Sequence, residues 1–166
     1  MSNQQKDLVR EGLEDLYPRL WRFAKLTTGN ADTAKDLLQA TCERALIKAH
    51  LYRPEGKLES WLYKMMRRVW LNELRAQKTK GMGETYPIEV DALVSPANSV
   101  EMNIFTGEVL SIIQGLPETQ RQAVYLVYVE GLKYVEAAEV LSVPIGTIMS
   151  RLSTARKKVS AAVNER

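Results

Sequence analysis

The sequence predicts an all-α protein, made of two small helical domains joined by a flexible linker, with a helix-turn-helix in the C-terminal domain. Apolar residues recur at helical spacing over most of the 166 residues, and there are only two Phe and six Pro. A stretch with weak periodicity, from about Ala76 to Asn103, is rich in Gly, Pro and acidic residues. We therefore assign domains to residues 1–78 and 104–166, separated by an acidic flexible linker at residues 79–103.

Two amphipathic helices are predicted in the first third of the chain. The first has Pro18 near its start, and Gly29-Asn30 ends it. Either Asn30 or Asp32 can cap the second helix, which runs to about Ala49. The residues expected to face inward are Leu13, Leu16, Leu20, Phe23 and Ala24 in the first helix, and Leu37, Leu38, Thr41, Ala45 and Leu46 in the second.

A third helix, predicted from about Leu58 to Arg75, has a basic side with Tyr63 and Trp70 beside it. Basic groups next to aromatic rings suit single-stranded nucleic acid, because Lys and Arg pair with phosphates while bases stack on the rings. The alternative is that the Trp side chains belong to the core and the charges only solvate a face. Trp61 fits this alternative better, and Trp70 fits either. The wheel places Leu62, Met65, Met66 and Val69 on one side, and Lys64, Arg67, Leu71 and Arg75, with Arg68 at their margin, on the other.

Charge is unevenly distributed, although the formal net charge is only +3. Residues 60–80 contain six basic side chains and one acidic one. Residues 81–120 contain six acidic side chains and no basic one, and five basic side chains follow from Pro144 onward against one acidic. Two basic segments separated by an acidic one indicate two contacts with a polyanion.

The C-terminal domain is predicted to contain four helices. Helical spacing resumes from Ile104 to Gln114, and Pro117 lies at the first turn of the next helix. A short helix beginning at Tyr134 then ends in a turn at Ser142-Val143. Pro144 suits the first turn of the last helix.

The last helix has one apolar and one polar side. Ile148, Leu152, Ala155 and Val159 fall within about 60° of one another on the helical wheel. Helix, tight turn and a helix with a polar outer face predict a helix-turn-helix. The alternative is an ordinary helical hairpin with a solvated basic face. The side chains expected to point outward are Met149, Ser150, Ser153, Thr154 and Lys157, flanked by Arg151 and Arg156.

The sequence gives no indication of an enzyme, a metal site or a cofactor. His50 is the only histidine, which excludes the usual histidine triads and multi-histidine metal sites. Cys42 is the only cysteine, so no internal disulfide forms, and nothing near it in the sequence would activate it as a nucleophile. A polar N-terminus, with no apolar run approaching about 20 residues, indicates a cytoplasmic protein without membrane insertion.

Several short motifs occur in a characteristic order, and together they resemble the extracytoplasmic-function group of bacterial sigma factors in the sigma-70 family. The resemblance covers about Leu13 to Val159. The motifs are Asp36-Leu-Leu-Gln39, Ser60-Trp-Leu-Tyr63, Asn72-Glu-Leu-Arg75, Leu116-Pro-Glu-Thr-Gln-Arg121, Glu130-Gly-Leu-Lys-Tyr134, and Val143-Pro-Ile-Gly-Thr-Ile148 followed by Ser150-Arg151-Leu152.

The resemblance implies an initiation factor that is active only when bound to core RNA polymerase. The N-terminal domain would bind the polymerase clamp and melt the −10 promoter element, and the C-terminal domain would recognise the −35 element as duplex. The implied partners are the clamp and flap of core polymerase, promoter DNA, and the anti-sigma protein that such factors commonly have.

Site residues are carried over from the family by position. The clamp would contact Asp36, Gln39 and Arg44. The Leu51–Gly56 loop would receive a flipped −10 base, and the helix from Lys64 to Arg75 would hold the melted strand. The implied −10 contacts are Tyr52, Arg53, Lys64, Arg67, Arg68, Leu71 and Arg75. The implied −35 contacts are Thr147, Met149, Ser150, Arg151, Ser153, Thr154, Arg156 and Lys157.

The chain departs from the family pattern at four positions, so its promoter sequence cannot be taken from a relative. Relatives often carry Asn in place of Arg68, and Lys or Arg in place of Met149. Some have a basic residue in place of Thr154, and Ser142 replaces a common turn glycine.

A free-standing helix-turn-helix regulator with an N-terminal ligand or dimerisation domain is the main alternative function. It predicts an apolar pocket or a dimer surface within residues 10–75. A basic stripe in that segment is difficult to explain on this alternative.

Overall fold

The structure, a computed structural model, describes residues 2–79 and 111–165. The chain divides into two units, one ending at Pro87 and the other beginning at Ile88. No strand occurs in the described residues, and helices account for most of each unit. The all-α prediction is therefore confirmed. Residues 80–103 of the predicted linker lie outside the described residues.

Three helices form the described part of the first unit: α1 (Ser2–Thr28), α2 (Ala31–Ile47) and α3 (Leu58–Thr79). A short 3-10 turn, Ala49–Leu51, follows α2. The first helix begins earlier than predicted because Val9, which is fully buried, continues its apolar stripe N-terminal to Leu13. Pro18 lies inside α1.

The N-terminus of α2 is capped by Asn30, which decides between the two predicted caps. The Asn30 side-chain Oδ1 accepts hydrogen bonds from the backbone N–H groups of Asp32 at 2.9 Å and Thr33 at 3.1 Å. The cap satisfies two N–H groups that the first turn of a helix would otherwise leave without a partner.

Two aromatic side chains that the sequence placed beside the basic stripe belong to the core. Tyr63 is fully buried, and its ring centroid lies 4.9 Å from that of Phe23. Trp70 is only 5% exposed. Of the two alternatives left open for Trp70, core packing is therefore the one observed, and the suggestion that Tyr63 lies where it could stack on bases was wrong. Trp61, which the sequence placed in the core, is half-buried.

The second unit contains α4 (Glu118–Val124), α5 (Tyr134–Leu141) and α6 (Ile145–Asn164), and residues 111–114 are also helical. A π-helical turn, Tyr125–Val129, continues α4. The Glu130 N–H donates to the Tyr125 carbonyl at 3.0 Å, a span of five residues. The core of this unit includes the fully buried side chains of Leu126, Leu141, Ile148 and Leu152.

The turn between α5 and α6 has the geometry of a left-handed helix end. Ser142 adopts φ 55° and ψ 46°, a region that side chains other than Gly occupy at some cost. The Val143 N–H donates to the Ala138 carbonyl at 3.0 Å, which closes the turn. Pro144 lies immediately before α6, so the predicted helix-turn-helix is present.

None of the helices in residues 2–79 and 111–165 combines the length and apolar character needed to cross a membrane.

Candidate nucleic-acid interface

A basic cleft of about 350 Å³ lies between α2 and α3 in the first unit, and we call it the α2–α3 cleft. It brings together four of the predicted −10 residues, Lys64, Arg68, Leu71 and Arg75. Arg67, also on α3, is half-buried and does not line the cleft. The other residues lining it are Arg44, Lys48, Leu51, Trp61, Met65 and Asn72.

The loop after α2 is held in place by Tyr52. Its ring is buried, with the centroid 5.5 Å from that of Trp61, and its hydroxyl donates to the Gly56 carbonyl at 3.0 Å. The Gln5 side-chain amide donates to the Tyr52 carbonyl at 3.0 Å, which ties the loop to the start of α1. Arg53 is exposed. Tyr52 therefore positions the loop, whereas Arg53 is free to reach a ligand.

A second cavity lies between this loop and the first turns of α1. Its lining includes Gln4, Gln5, Leu8 and the loop residues from His50 to Gly56. The N-terminal part of α1 thus contributes side chains to the surroundings of the loop, which the sequence did not predict.

The predicted polymerase contacts Asp36 and Gln39 are exposed on α2. Burial, and secondarily the Asp36 carboxylate, raises the pKa of Glu73 on α3. The two acidic groups therefore lie near each other. Arg44, the third predicted polymerase contact, instead lines the α2–α3 cleft with the −10 residues.

The outer side of α6 is polar, as predicted from the wheel. Ile148, Leu152 and Ala155 are buried, and Met149 is 53% exposed. Among the other predicted −35 residues, Ser150, Thr154, Arg156 and Lys157 are exposed, and Thr147, Arg151 and Ser153 are half-buried. All eight side chains therefore have some access to a ligand.

Arg156 forms a hydrogen bond with Tyr128, a residue that no sequence pattern singled out. Its Nη1 donates to the Tyr128 hydroxyl at 2.8 Å. Interaction with the hydroxyl of Tyr134, and next with that of Tyr128, raises the pKa of Arg156. Tyr128 belongs to the π-helical turn and is 28 positions from Arg156 in the sequence, so no local pattern could have predicted the contact.

Neither unit contains a reactive cysteine. Burial, and secondarily Glu43, raises the pKa of the Cys42 thiol, which disfavours the nucleophilic thiolate. No group of three or more potential metal ligands occurs in residues 2–79 and 111–165.

Comparison with known families assigns each unit. Sigma-70 region 2 matches residues 13–80, and sigma-70 region 4 matches residues 106–159. The chain is 30% identical over 155 residues to the ECF RNA polymerase sigma factor EcfG of Rhodopseudomonas palustris, a match that covers 93% of this chain and 84% of that protein. The chain belongs to the ECF sigma factors of the sigma-70 family. The predicted resemblance is confirmed.

Other relatives support the same assignment. This sigma factor is 30% identical over 152 residues to the ECF RNA polymerase sigma factor SigM of Bacillus subtilis, over 87% of this chain and 88% of that protein. Its fold is similar to that of the sigma factor RpoE of Bartonella quintana, solved in complex with the anti-sigma factor NepR. That match has a TM-score of 0.75 and 25% identity, and it covers 96% of this chain and 98% of RpoE.

The family assignment establishes the function. A sigma factor directs core RNA polymerase to promoters and initiates transcription, and it is not an enzyme. The alternative of a free-standing helix-turn-helix regulator is excluded, because the first unit matches sigma-70 region 2 rather than a ligand or dimerisation domain.

Proposed function

We propose that the two units of this sigma factor divide promoter recognition between them. The domains that do so are residues 1–78 in the first unit and residues 104–166 in the second, and residues 79–103 link them. The first unit binds the polymerase clamp and the opened −10 element, and the second binds the flap and the −35 duplex. The observation that supports this division is the α2–α3 cleft, where cations from separate parts of the first unit converge.

In the first unit, Asp36 and Gln39 bind the polymerase, and the basic residues of α3 bind the opened strand. Phosphate contacts supply affinity that does not depend on sequence. The loop after α2 supplies a protein pocket for a flipped −10 base, which offsets the stacking lost on melting. The strand contacts are Arg53, Lys64, Arg67, Arg68, Leu71 and Arg75, and Tyr52 holds the loop in shape.

In the second unit, the outer face of α6 enters the major groove of the −35 element. This is the usual placement of the second helix of a helix-turn-helix. Met149, Ser150, Ser153 and Thr154 lie where base edges are contacted. The phosphate and groove-edge contacts are Thr147, Arg151, Arg156 and Lys157.

An anti-sigma protein is a further proposed partner, and the cytoplasm is the proposed location. The support is that RpoE of Bartonella quintana, whose fold this chain shares over 96% of its length, was solved with the anti-sigma factor NepR. Such a partner would keep the sigma factor from core polymerase.

The proposal is tested with holoenzyme reconstituted from the full chain and the core polymerase of its host. Transcription of fragmented host DNA identifies promoters, and permanganate footprinting then measures opening. Arg68→Ala should reduce opening by roughly tenfold with polymerase affinity unchanged, because it removes strand contacts only. Asp36→Ala should reduce polymerase affinity itself.

Lys6→Ala is the control, because Lys6 is an exposed cation of the first unit that does not line the α2–α3 cleft. It should change neither opening nor polymerase affinity. Normal promoter opening by a variant that combines Arg68→Ala with Arg75→Ala would show that the strand does not use this cleft.

A further inference from the structure

The α2–α3 cleft has two basic walls. Lys64, Arg68 and Arg75 come from α3, and Arg44 and Lys48 lie at the C-terminal end of α2. Lys48 was not among the residues expected to contact DNA, and Arg44 was expected to contact the polymerase. Their position in the cleft calls for a different assignment.

The geometry of α2 separates Arg44 from the other predicted polymerase contacts. At about 100° per residue, Arg44 and Lys48 lie within about 40° of each other, on one side of the helix. Gln39 is about 140° from Arg44 and about 180° from Lys48. Asp36 is about 80° from Arg44 and about 120° from Lys48, so a protein surface centred between Asp36 and Gln39 lies about 110° from Arg44 and about 150° from Lys48.

The acidic groups of α3 follow the same division. Glu73 lies near Asp36, whose carboxylate contributes to the raised pKa of Glu73. On the wheel of α3, Glu73 is about 180° from Lys64 and about 140° from Arg68. The two helices together therefore present an acidic side and a separate basic side.

The basic side has no counter-charge of its own. No carboxylate lines the α2–α3 cleft. None of its five cations forms an ion pair with another residue in the described part of the first unit. Bringing these cations together is unfavourable unless an anion enters, so the arrangement selects an anionic ligand.

We propose that Arg44 and Lys48 bind the DNA backbone of the opened strand, which then lies between two basic walls rather than along α3 alone. This inference rests on the proposed function of the first unit. Trp61 also lines the cleft and is half-buried, so its ring is available to stack on a base beside the bound phosphates. The polymerase contacts remain with Asp36 and Gln39 on the acidic side.

The test measures two affinities for each variant of the full chain. The first is the affinity of the sigma factor for core polymerase. The second is the affinity of the holoenzyme for a fluorescent single-stranded oligonucleotide of randomised sequence, over a range of salt concentrations. A randomised probe is suitable because phosphate contacts do not depend on sequence. The matching duplex serves as a second probe.

Arg44→Ala and Lys48→Ala should each weaken binding of the single strand by roughly threefold to tenfold, and should lower the salt slope by about 0.7. Both should leave polymerase affinity unchanged and affect the duplex less than the single strand. Lys35→Ala is the matched control, because Lys35 is an exposed cation of α2 about 180° from Arg44. It should change neither the binding of the single strand nor its salt slope.

The possible failures are distinguishable. A loss of polymerase affinity in Arg44→Ala, without loss of oligonucleotide binding, would show that Arg44 contacts the polymerase and not the DNA. This result would overturn the inference. Unchanged oligonucleotide binding in both variants, with a loss in Arg68→Ala, would also overturn it while leaving the proposed function intact. Unchanged binding in Arg68→Ala as well would overturn the proposed −10 surface itself.

Discussion

Met149 projects from the polar side of α6, and it is 53% exposed. A thioether has no hydrogen-bond donor, so Met149 offers only apolar contact, for example with a thymine methyl group. Met149→Arg should therefore change the preferred −35 sequence. A good base contact is worth roughly 1–3 kcal/mol, so the preference at one position should change by about fivefold or more.

Transcription from a library with a randomised −35 element measures the base preference of Met149→Arg. Arg156→Ala is the comparison variant, since Arg156 is held by Tyr128 and is proposed to contact a phosphate. It should weaken all promoters to a similar extent. An unchanged base profile for Met149→Arg, with normal folding and polymerase binding, would remove Met149 from the base-contacting surface.

Among the residues that the structure describes, Ser142 is the one non-glycine residue with a positive φ, at 55°. A left-handed conformation costs a residue with a side chain roughly 1–2 kcal/mol. Glycine avoids this cost, but the greater flexibility of its unfolded chain offsets part of the gain. Ser142→Gly should therefore stabilise the second unit by about 0.5–1 kcal/mol. Hydrogen exchange of the α5 and α6 amides would measure this.

Ser160→Gly is the matched control for Ser142→Gly, because Ser160 lies inside α6 with its side chain exposed. The same substitution should there destabilise by about 0.5 kcal/mol, since glycine is a poor helix former. Faster exchange of the α5 and α6 amides in Ser142→Gly would contradict the account of this turn.

Individual side chains were predicted less well than the helices that carry them. The wheel correctly separated buried Ile148 and Leu152 from exposed Met149. It left Trp70 undecided, and it did not show that Tyr63, beside the basic stripe, is buried. A wheel describes one helix in isolation, whereas the width of the buried face depends on how many neighbouring helices pack against it.

At the level of elements, α2 and α3 are coupled through Glu73. Burial first, and the nearby Asp36 carboxylate second, raise the pKa of Glu73 in the folded state. The folded chain therefore binds the proton more tightly than the unfolded chain does. Stability from this group is fully present below the unfolded pKa, about 4.3, and is lost as pH rises through the folded value.

Glu73→Gln should accordingly raise the midpoint of urea unfolding at pH 7, and the gain should shrink toward zero near pH 4. Tryptophan fluorescence is a suitable measurement, because all three tryptophans lie in the first unit. Glu139→Gln, at an exposed position of α5, is the control and should not alter this transition. A gain that persisted unchanged at pH 4 would show that charge on Glu73 is not the cause.

The helices themselves were predictable because their apolar spacing is regular and their caps are local. Asn30, one of the two caps that the sequence offered, is the cap of α2. The π-helical turn Tyr125–Val129 was not predictable, since nothing in its composition distinguishes it from the continuation of α4. The contact of Tyr128 with Arg156 was not predictable either, because it depends on tertiary packing.

For the whole molecule, the distribution of charge matters more than its total. The net charge is only +3, yet residues 60–80 and the C-terminal segment are strongly basic. The sequence predicted both basic segments. It could not predict that α2 would add Arg44 and Lys48 to the first, because only the packing of α2 against α3 brings them to the α2–α3 cleft.

The polar face of α6 is one helix wide, and a single helix offers few base contacts. The isolated sigma factor should therefore bind −35 duplex DNA weakly, with a dissociation constant of roughly 10⁻⁴ to 10⁻⁶ M at physiological salt. Its salt slope should be about −3, since three of the proposed −35 contacts are cations: Arg151, Arg156 and Lys157.

Specific binding and opening should appear only with core polymerase, which adds contacts at −10 and holds the first unit against the DNA. Fluorescence anisotropy of labelled promoter duplex, with sigma factor alone and as holoenzyme, measures the difference. Core polymerase without sigma factor is the control, and it should not distinguish promoter from scrambled duplex. Tight, sequence-specific binding by the isolated chain at physiological salt would show that α6 does not depend on polymerase for recognition.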